Sequence, residues 1–227
     1  MEAYAEPINA EDTGYAERNL WCREQMRAFI EMFRNPVGKF VDYAGGYGLF
    51  VRLMRDCGYD FYWSDLFCPN LFARGFEAGQ SNCQRFEAVT AFEVFEHWTD
   101  PKTELAKLAD SSDCVVFSTR LVPNPAPALR DWWYYGIEHG QHVSFYTAES
   151  LDRLARQFDF HFNSDGEVFH AFSRAPLSQK NFKRLRSERW KRWLKRRCTL
   201  SSRTESDHHL VKAHMVKDFT RRNRDNA

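Results

Sequence analysis

An α/β fold with an open, mostly parallel sheet is what this 227-residue sequence predicts, and three observations carry the prediction. Short apolar runs alternate with segments of helical period along most of the chain. One such run, Gly38 to Asp42, passes straight into a turn holding Gly45, Gly46 and Gly48. Further on, two β-like runs at 158–162 and 167–173 flank Asp165-Gly166, a hairpin signal. Together they predict a Rossmann-like, mostly parallel sheet with helices on both faces and a C-terminal antiparallel hairpin.

The elements follow in order. Residues 1–14 are polar, with Pro7 and Gly14, and read as a loose start. Tyr15 to Phe33 has helical spacing, with Leu20, Met26, Phe29, Ile30 and Phe33 as its apolar stripe, and Asn35-Pro36 and Gly38 end it. After the first strand and the glycines, Phe50, Leu53, Met54 and Cys57 fall on one face of a second helix. Tyr59 to Trp63 is the next strand, closing at Asp65. The segment 66–85 carries Pro69, Gly75, Gly79 and Asn82 and reads as irregular, with at most a short strand near Leu71–Phe76. Phe86 to Phe92 alternates as a strand and leads through Glu93 and His97 to Asp100-Pro101, a turn that starts a helix over 102–109. Asp113 to Thr119 is a further buried strand, and Pro123, Pro125 and Pro127 then break regular structure. Residues 130–147 form a long aromatic loop, and Thr147 is the N-cap of a following helix. Asp42, Asp65, Glu93 and Thr119 each end a predicted strand. Ligands of such sheets bind beyond the carboxyl ends of the strands, so these four residues are expected to line one crevice.

Composition sets bounds. The length suits one domain with appendages: an N-terminal helical segment (1–37), the sheet domain (38–175) and a C-terminal extension (176–227). An aromatic share of 16% places aromatic rings in the core or in a binding pocket. No signal-like or membrane-spanning stretch occurs, and the six scattered cysteines include no C-x-x-C pair, so free thiols in a reducing cytoplasm are expected. The net charge of +1 conceals a split. From Pro176 onward 16 Lys and Arg face 5 Asp and Glu, a net of +11, and the remainder carries −10.

The glycine turn distinguishes among nucleotide ligands. The dinucleotide pattern G-x-G-x-x-G/A fails at its third position in both registers, ending in Val51 or Leu49, and no phosphate-binding G-x-x-x-x-G-K-[ST] occurs. Asp42-Tyr43-Ala44-Gly45-Gly46-Tyr47-Gly48 instead fits Asp-x-Gly-x-Gly-x-Gly with Ala44 at the first glycine, and Asp65 follows 23 residues after Asp42. Glu93-Val-Phe-Glu-His97 with Asp100-Pro101, and His142-Val-Ser-Phe-Tyr-Thr147 with Glu149-Ser150-Leu151, add two further stations. In these four stations the chain resembles the class I S-adenosylmethionine-dependent methyltransferases, within a broad small-molecule and glycan subfamily.

The resemblance implies S-adenosylmethionine as cofactor. It implies that the backbone from Ala44 to Gly48, including Gly45 and Gly46, packs on the methionine part above Asp42. Asp65 would accept from both ribose hydroxyls, Leu66 would flank the adenine, and Phe92 and Glu93 would sit near the sulfonium. Ala44 departs from the pattern, and its methyl group crowds the turn if the backbone there has positive φ.

A sulfonium methyl is already activated, so alignment and exclusion of water are the main demands, and a hydroxyl acceptor also needs its proton removed. His142 and His97 are the candidate bases, with His139 and Glu138 behind them; hydrogen-bonded structural histidines are the alternative. Trp132, Trp133, Tyr134 and Tyr135 read as a stacking wall, a lid or plain packing. The extension at 178–198 is a basic amphipathic segment with Phe182, Leu185, Trp190, Trp193 and Leu194 on one face. Docking against the acidic body or a partner subunit is the first reading, contact with an anionic membrane at its cytoplasmic face the second and nucleic acid the third. His208, His209 and His214 with Asp207 match no ligand spacing, so no metal is expected. The reading is methyl transfer to a hydroxyl of a sugar, glycan or other small molecule. An RNA methyltransferase anchored by the basic tail and a non-catalytic binding module of the same fold remain as alternatives.

Overall fold

The computed structural model describes residues 13–137 and 140–213. A six-stranded sheet runs β2-β1-β3-β4-β6-β5, built from β1 (Lys39–Tyr43), β2 (Asp60–Ser64), β3 (Ala88–Phe92), β4 (Cys114–Ser118), β5 (His161–Ser164) and β6 (Phe169–Ser173). β2, β1, β3 and β4 are parallel, and β6 pairs antiparallel with both β4 and β5. The helices are α1 (Tyr15–Phe33), α2 (Leu49–Asp56), α3 (Pro101–Ser111), α4 (Ala148–Arg156), α5 (Gln179–Arg184) and α6 (Glu188–Arg197), and residues 204–213 are helical as well.

Period-two alternation divides the core into two layers, because successive strand side chains point to opposite faces. Phe40, Phe61, Ala88, Cys114 and Val116 face a layer shared with α1, α2, Phe182, Leu185 and Leu194. Val41, Val89, Ala91, Val115, Phe117 and Phe172 face the other, with Leu105, Leu108, Leu151 and Leu154 from α3 and α4. Helices therefore cover both faces, as a parallel sheet buried on both sides requires.

The caps explain two helix starts. Asp100 accepts from the backbone N–H groups of Lys102 and Thr103 with Pro101 in the first turn, and Thr147 and Ser150 form a reciprocal capping box. The structure corrects two details. No strand forms at 71–76: residues 66–87 are irregular, touching the sheet through isolated bridges at Trp63–Glu77 and Phe86–Ser112. The buried face of α2 is Phe50, Val51, Met54 and Arg55, with Leu53 and Cys57 only half-buried. The helix is rotated from its expected face because Arg55 has partners inside.

Those partners come from β2 and from the C-terminal extension. Arg55 is 1% exposed; its Nε and Nη2 donate to Asp207 at 2.8 and 2.7 Å, and its Nη1 donates to Asp60 and to the Phe61 carbonyl. The guanidinium lies 3.7 Å from the Phe76 ring centroid. Arg52 also pairs with Asp207, at 2.9 Å. The apolar side of α5 and α6 turns into the body through Phe182, Leu185 and Leu194, while Trp193 is 45% exposed and Trp190 half-buried. None of the helices among the described residues is long and apolar enough to cross a membrane.

Candidate active site

Asp42, Asp65, Glu93 and Thr119 stand at or just beyond the carboxyl ends of the four parallel strands. Parallel register forces this: Asp42 pairs with Trp63 and Thr90, and Phe92 with Ser118, so the ends lie side by side.

Asp42 is 4% exposed, and its Oδ1 accepts from the Thr90 hydroxyl at 2.6 Å. Burial pushes its carboxyl up to about 7; the Thr90 bond opposes the rise and the Asp65 charge adds to it. The glycine turn packs directly on it. A Cβ at Gly45 would lie 2.7 Å from Asp42 Oδ2 and 3.0 Å from Trp63 Cδ1, and one at Gly48 (φ 84°) 2.8 Å from Asn70 Oδ1. Both positions therefore demand glycine. Ala44 has φ 53°, so the departure from glycine does place a methyl group on left-handed backbone.

The amides of this turn are already committed inside the protein. Gly45 N–H donates to the Ser64 carbonyl, Gly48 N–H to the Gly45 carbonyl and Gly46 N–H to Asp65 Oδ2 at 2.9 Å. The Trp63 indole N–H donates to the Gly46 carbonyl. What the turn offers a ligand is close backbone approach. Asp65 Oδ1 accepts from the amides of Phe67 and Cys68, so three of the roughly four lone-pair positions of a carboxylate are filled. A diol needs two, so accepting both ribose hydroxyls requires one of those amides to swing away. Leu66 is 84% exposed at the rim, and Phe92 packs inward against Phe50 and Phe169.

Glu93 lies beyond β3 with φ 54°, a conformation uncommon for a side-chain-bearing residue and one that clusters at functional sites. Its N–H donates to the Ser118 hydroxyl, which donates back to Glu93 Oε1 at 2.5 Å. Burial raises the Cys22 thiol on α1 well above its ordinary pKa, and the Glu93 and Asp42 charges add to the rise.

The loop 141–146 brings the second group of candidates in. Val143 and Ser144 amides donate to the Glu96 carbonyl, the Ser144 hydroxyl to the Trp98 carbonyl and the Tyr146 hydroxyl to the Phe95 carbonyl. This zipper sets His97 and His142 with ring centroids 5.1 Å apart. His97 Nδ1 lies 3.0 Å from the Gln141 carbonyl and His142 Nδ1 2.7 Å from the Tyr134 carbonyl. A carbonyl only accepts, so both Nδ1 atoms carry a proton, and a ring in its neutral form carries its lone pair on Nε2. Tyr134 walls the pair, its ring 4.7 Å from that of His142 and its hydroxyl 3.1 Å from Thr119 Oγ1. His139, Glu138 and His214 lie outside the described residues.

Glu96 sits inside the Glu93-Val-Phe-Glu-His97 station, yet the sequence reading gave it no role. It is fully buried, and neither carboxylate oxygen has a hydrogen-bond partner among the described residues. Burial pushes its carboxyl up to about 8 and the Glu93 charge adds to the rise. The Tyr134 and Thr119 hydroxyls temper the shift without reaching hydrogen-bonding geometry. Its place two residues after Val94 in a strand-to-helix turn carried no periodic signal, since burial here comes from the loop folded over it.

The profile of a methyltransferase domain matches residues 15–164. The chain belongs to that methyltransferase family. No curated protein matches the sequence. Among solved structures, a chain from the complex of the Haloferax volcanii Trm112 methyltransferase activator with a methyltransferase has a TM-score of 0.55 at 14% identity, covering 77% of this chain and 98% of that one. TnmH gives 0.51 at 15% identity over 72% of this chain and 57% of its own. CalO1, a methyltransferase of calicheamicin biosynthesis in its SAH-bound form, gives 0.50 at 13% over 77% and 60%. These likenesses show the Rossmann-like fold.

S-adenosylmethionine is the cofactor of this methyltransferase. The residues at the strand ends fit it. The cofactor carries a sulfonium and an ammonium, and the edge presents the Asp42, Asp65 and Glu93 carboxylates with no ion pair to any of them among the described residues.

Proposed function

We propose that this methyltransferase acts on a hydroxyl group of a sugar, glycan or other small molecule. The observation that carries the reading is the pair of imidazoles, His97 and His142, with ring centroids 5.1 Å apart, each Nδ1 on a backbone carbonyl and buried Glu96 beside them. When bound, the sulfonium supplies an activated methyl group: a C–O bond forms as the C–S bond breaks, and sulfur keeps the electron pair. A hydroxyl must give up its proton in that step, and an imidazole whose Nδ1–H is pinned by a carbonyl presents Nε2 in a defined direction. Tyr134 and Trp132, both buried, exclude water on that side. Trp133 is 73% exposed with the Arg120 guanidinium 5.4 Å from its ring centroid, a surface suited to stacking on a sugar face.

An RNA acceptor is the second reading, favoured by the exposed Lys183, Arg186, Arg189, Arg192, Lys195 and Arg196 of the extension. Calorimetry with S-adenosylmethionine and S-adenosylhomocysteine on wild type and Asp65→Ala tests donor use; heat from wild type and little from the variant is expected. Methyl-labelled donor offered to sugars and glycans is expected to yield base-stable methyl ethers. Label found only on nitrogen overturns the hydroxyl reading, and label on RNA with a steep salt dependence favours the second.

A further inference from the structure

We propose that Glu96, His97 and His142 bind a divalent cation beside the donor site. One ligand atom from each lies within 4.8 Å of the others, and the three converge although His142 is 45 residues from His97.

Three features make this a built site. Glu96 aims a carboxylate with 0% exposure into the cluster, and neither oxygen has a hydrogen-bond partner among the described residues. A buried carboxylate is costly unless something compensates it, and a cation does. Both imidazoles donate Nδ1–H to backbone carbonyls, of Gln141 and Tyr134, the outer-shell arrangement that metal-ligating histidines use to fix their tautomer and orientation. The donor set is two imidazole nitrogens and one carboxylate, a composition that suits first-row divalent ions and leaves coordination positions open. Three protein ligands with an open position mark sites that take substrate rather than purely structural ones.

The cation would neutralise the buried Glu96 carboxylate, the one anionic ligand of the three. In the open position it would hold and polarise the acceptor hydroxyl, lowering its pKa. That second role rests on the hydroxyl reading above; cation binding itself does not. An imidazole ligating through Nε2 cannot take a proton there, so with the cation bound the lowered-pKa hydroxyl would give its proton to the Glu93 carboxylate at the same edge, and the histidine base would serve only the cation-free enzyme.

The test uses the full chain, freed of metal by chelator dialysis. Mn²⁺ binding is followed by electron paramagnetic resonance of the free ion, and Co²⁺ binding by visible absorption. One equivalent of Mn²⁺ is expected to bind, with Co²⁺ bands showing nitrogen ligation. Glu96→Gln and His142→Asn are each expected to weaken Mn²⁺ by at least on the order of 100-fold, the upper end of what outer-shell changes cost, with circular dichroism reporting that each folds. His208→Ala together with His209→Ala is expected to change nothing. Binding lost in that surface pair and kept in Glu96→Gln means an adventitious ion only and overturns the proposal, as does no binding by wild type. Titrating the same samples with S-adenosylmethionine separates the two readings: donor binding without Mn²⁺ binding removes the cation and leaves the methyltransferase reading intact. Mn²⁺ binding without donor binding does the reverse.

Discussion

Arg55 and Glu96 are both buried ionisable side chains, 1% and 0% exposed, and they are treated in opposite ways: Arg55 keeps its charge, whereas burial favours the neutral form of Glu96. Arg55 has Asp207, Asp60, the Phe61 carbonyl and the Phe76 ring around it, so its charge is compensated inside the protein. Glu96 has no hydrogen-bond partner on either oxygen among the described residues. The first arrangement holds the C-terminal extension onto α2 and β2. The second leaves an unmet electrostatic demand at the ligand edge of the sheet, which is where a methyltransferase places its acceptor. A buried charge that is fully paired belongs to the fold, whereas one left unpaired at such an edge points outward to a ligand.

The contrast can be broken by substitution. Asp207→Ala removes the bidentate partner of a buried guanidinium and is expected to cost roughly 3–5 kcal/mol in urea unfolding. A loss below about 1 kcal/mol would mean that Asp60 alone compensates Arg55.

His170 extends the paired class to a neutral group. One ring nitrogen donates to the Thr119 carbonyl and the other accepts from Ser164, and burial holds its pKa down at about 4. A folded pKa below the ordinary 6.5 means that the unfolded chain binds the proton more readily. The contribution is therefore complete above about pH 6.5 and is lost as pH falls toward 4, on the order of 2 kcal/mol. Urea midpoints measured across that range check it, and a His170→Gln protein should lose the slope.

Asp42 is the intermediate case, with one hydroxyl partner and a folded pKa of about 7 against an ordinary 3.8. Folding favours its neutral form, so its contribution to stability falls as pH rises from about 4 through 7. A cationic donor favours the ionised form, so S-adenosylmethionine affinity is expected to rise up to about tenfold between pH 6 and 8. Calorimetry at several pH values should show the rise in wild type and a flat profile in Asp42→Asn.

The smallest effect has the opposite sign. Glu96→Gln in cation-free protein exchanges a buried carboxyl that is largely protonated near neutral pH for an amide and is expected to leave stability unchanged or raise it by up to about 1 kcal/mol. A fall of several kcal/mol would put Glu96 in the same class as Arg55.

Local patterns made most of this edge legible. Apolar runs at 38–42 and 113–119 and the alternation at 86–92 placed β1, β4 and β3, and strand ends placed Asp42, Asp65, Glu93 and Thr119 together, because parallel strands share a direction. Asp100-Pro101 and Thr147 declared their helix starts through backbone capping, which is local chemistry. The irregular 66–87 segment was harder, since apolar residues such as Phe76 and Ala73 are buried there without any period. Arg55 was invisible on a helical wheel, where an arginine marks the solvent face.

The order of α and β elements, the glycine turn and the acid 23 residues later were determined by sequence alone, since each depends on neighbours a few residues apart. Only the tertiary structure decided that Asp207 reaches Arg55 across 152 residues and that His142 meets Glu96 and His97. Those contacts depend on how loops close over the sheet, and loop closure leaves no period in the chain. The residues that fold the scaffold therefore announce themselves in sequence, while the compensation of its buried charges appears only when the chain is assembled.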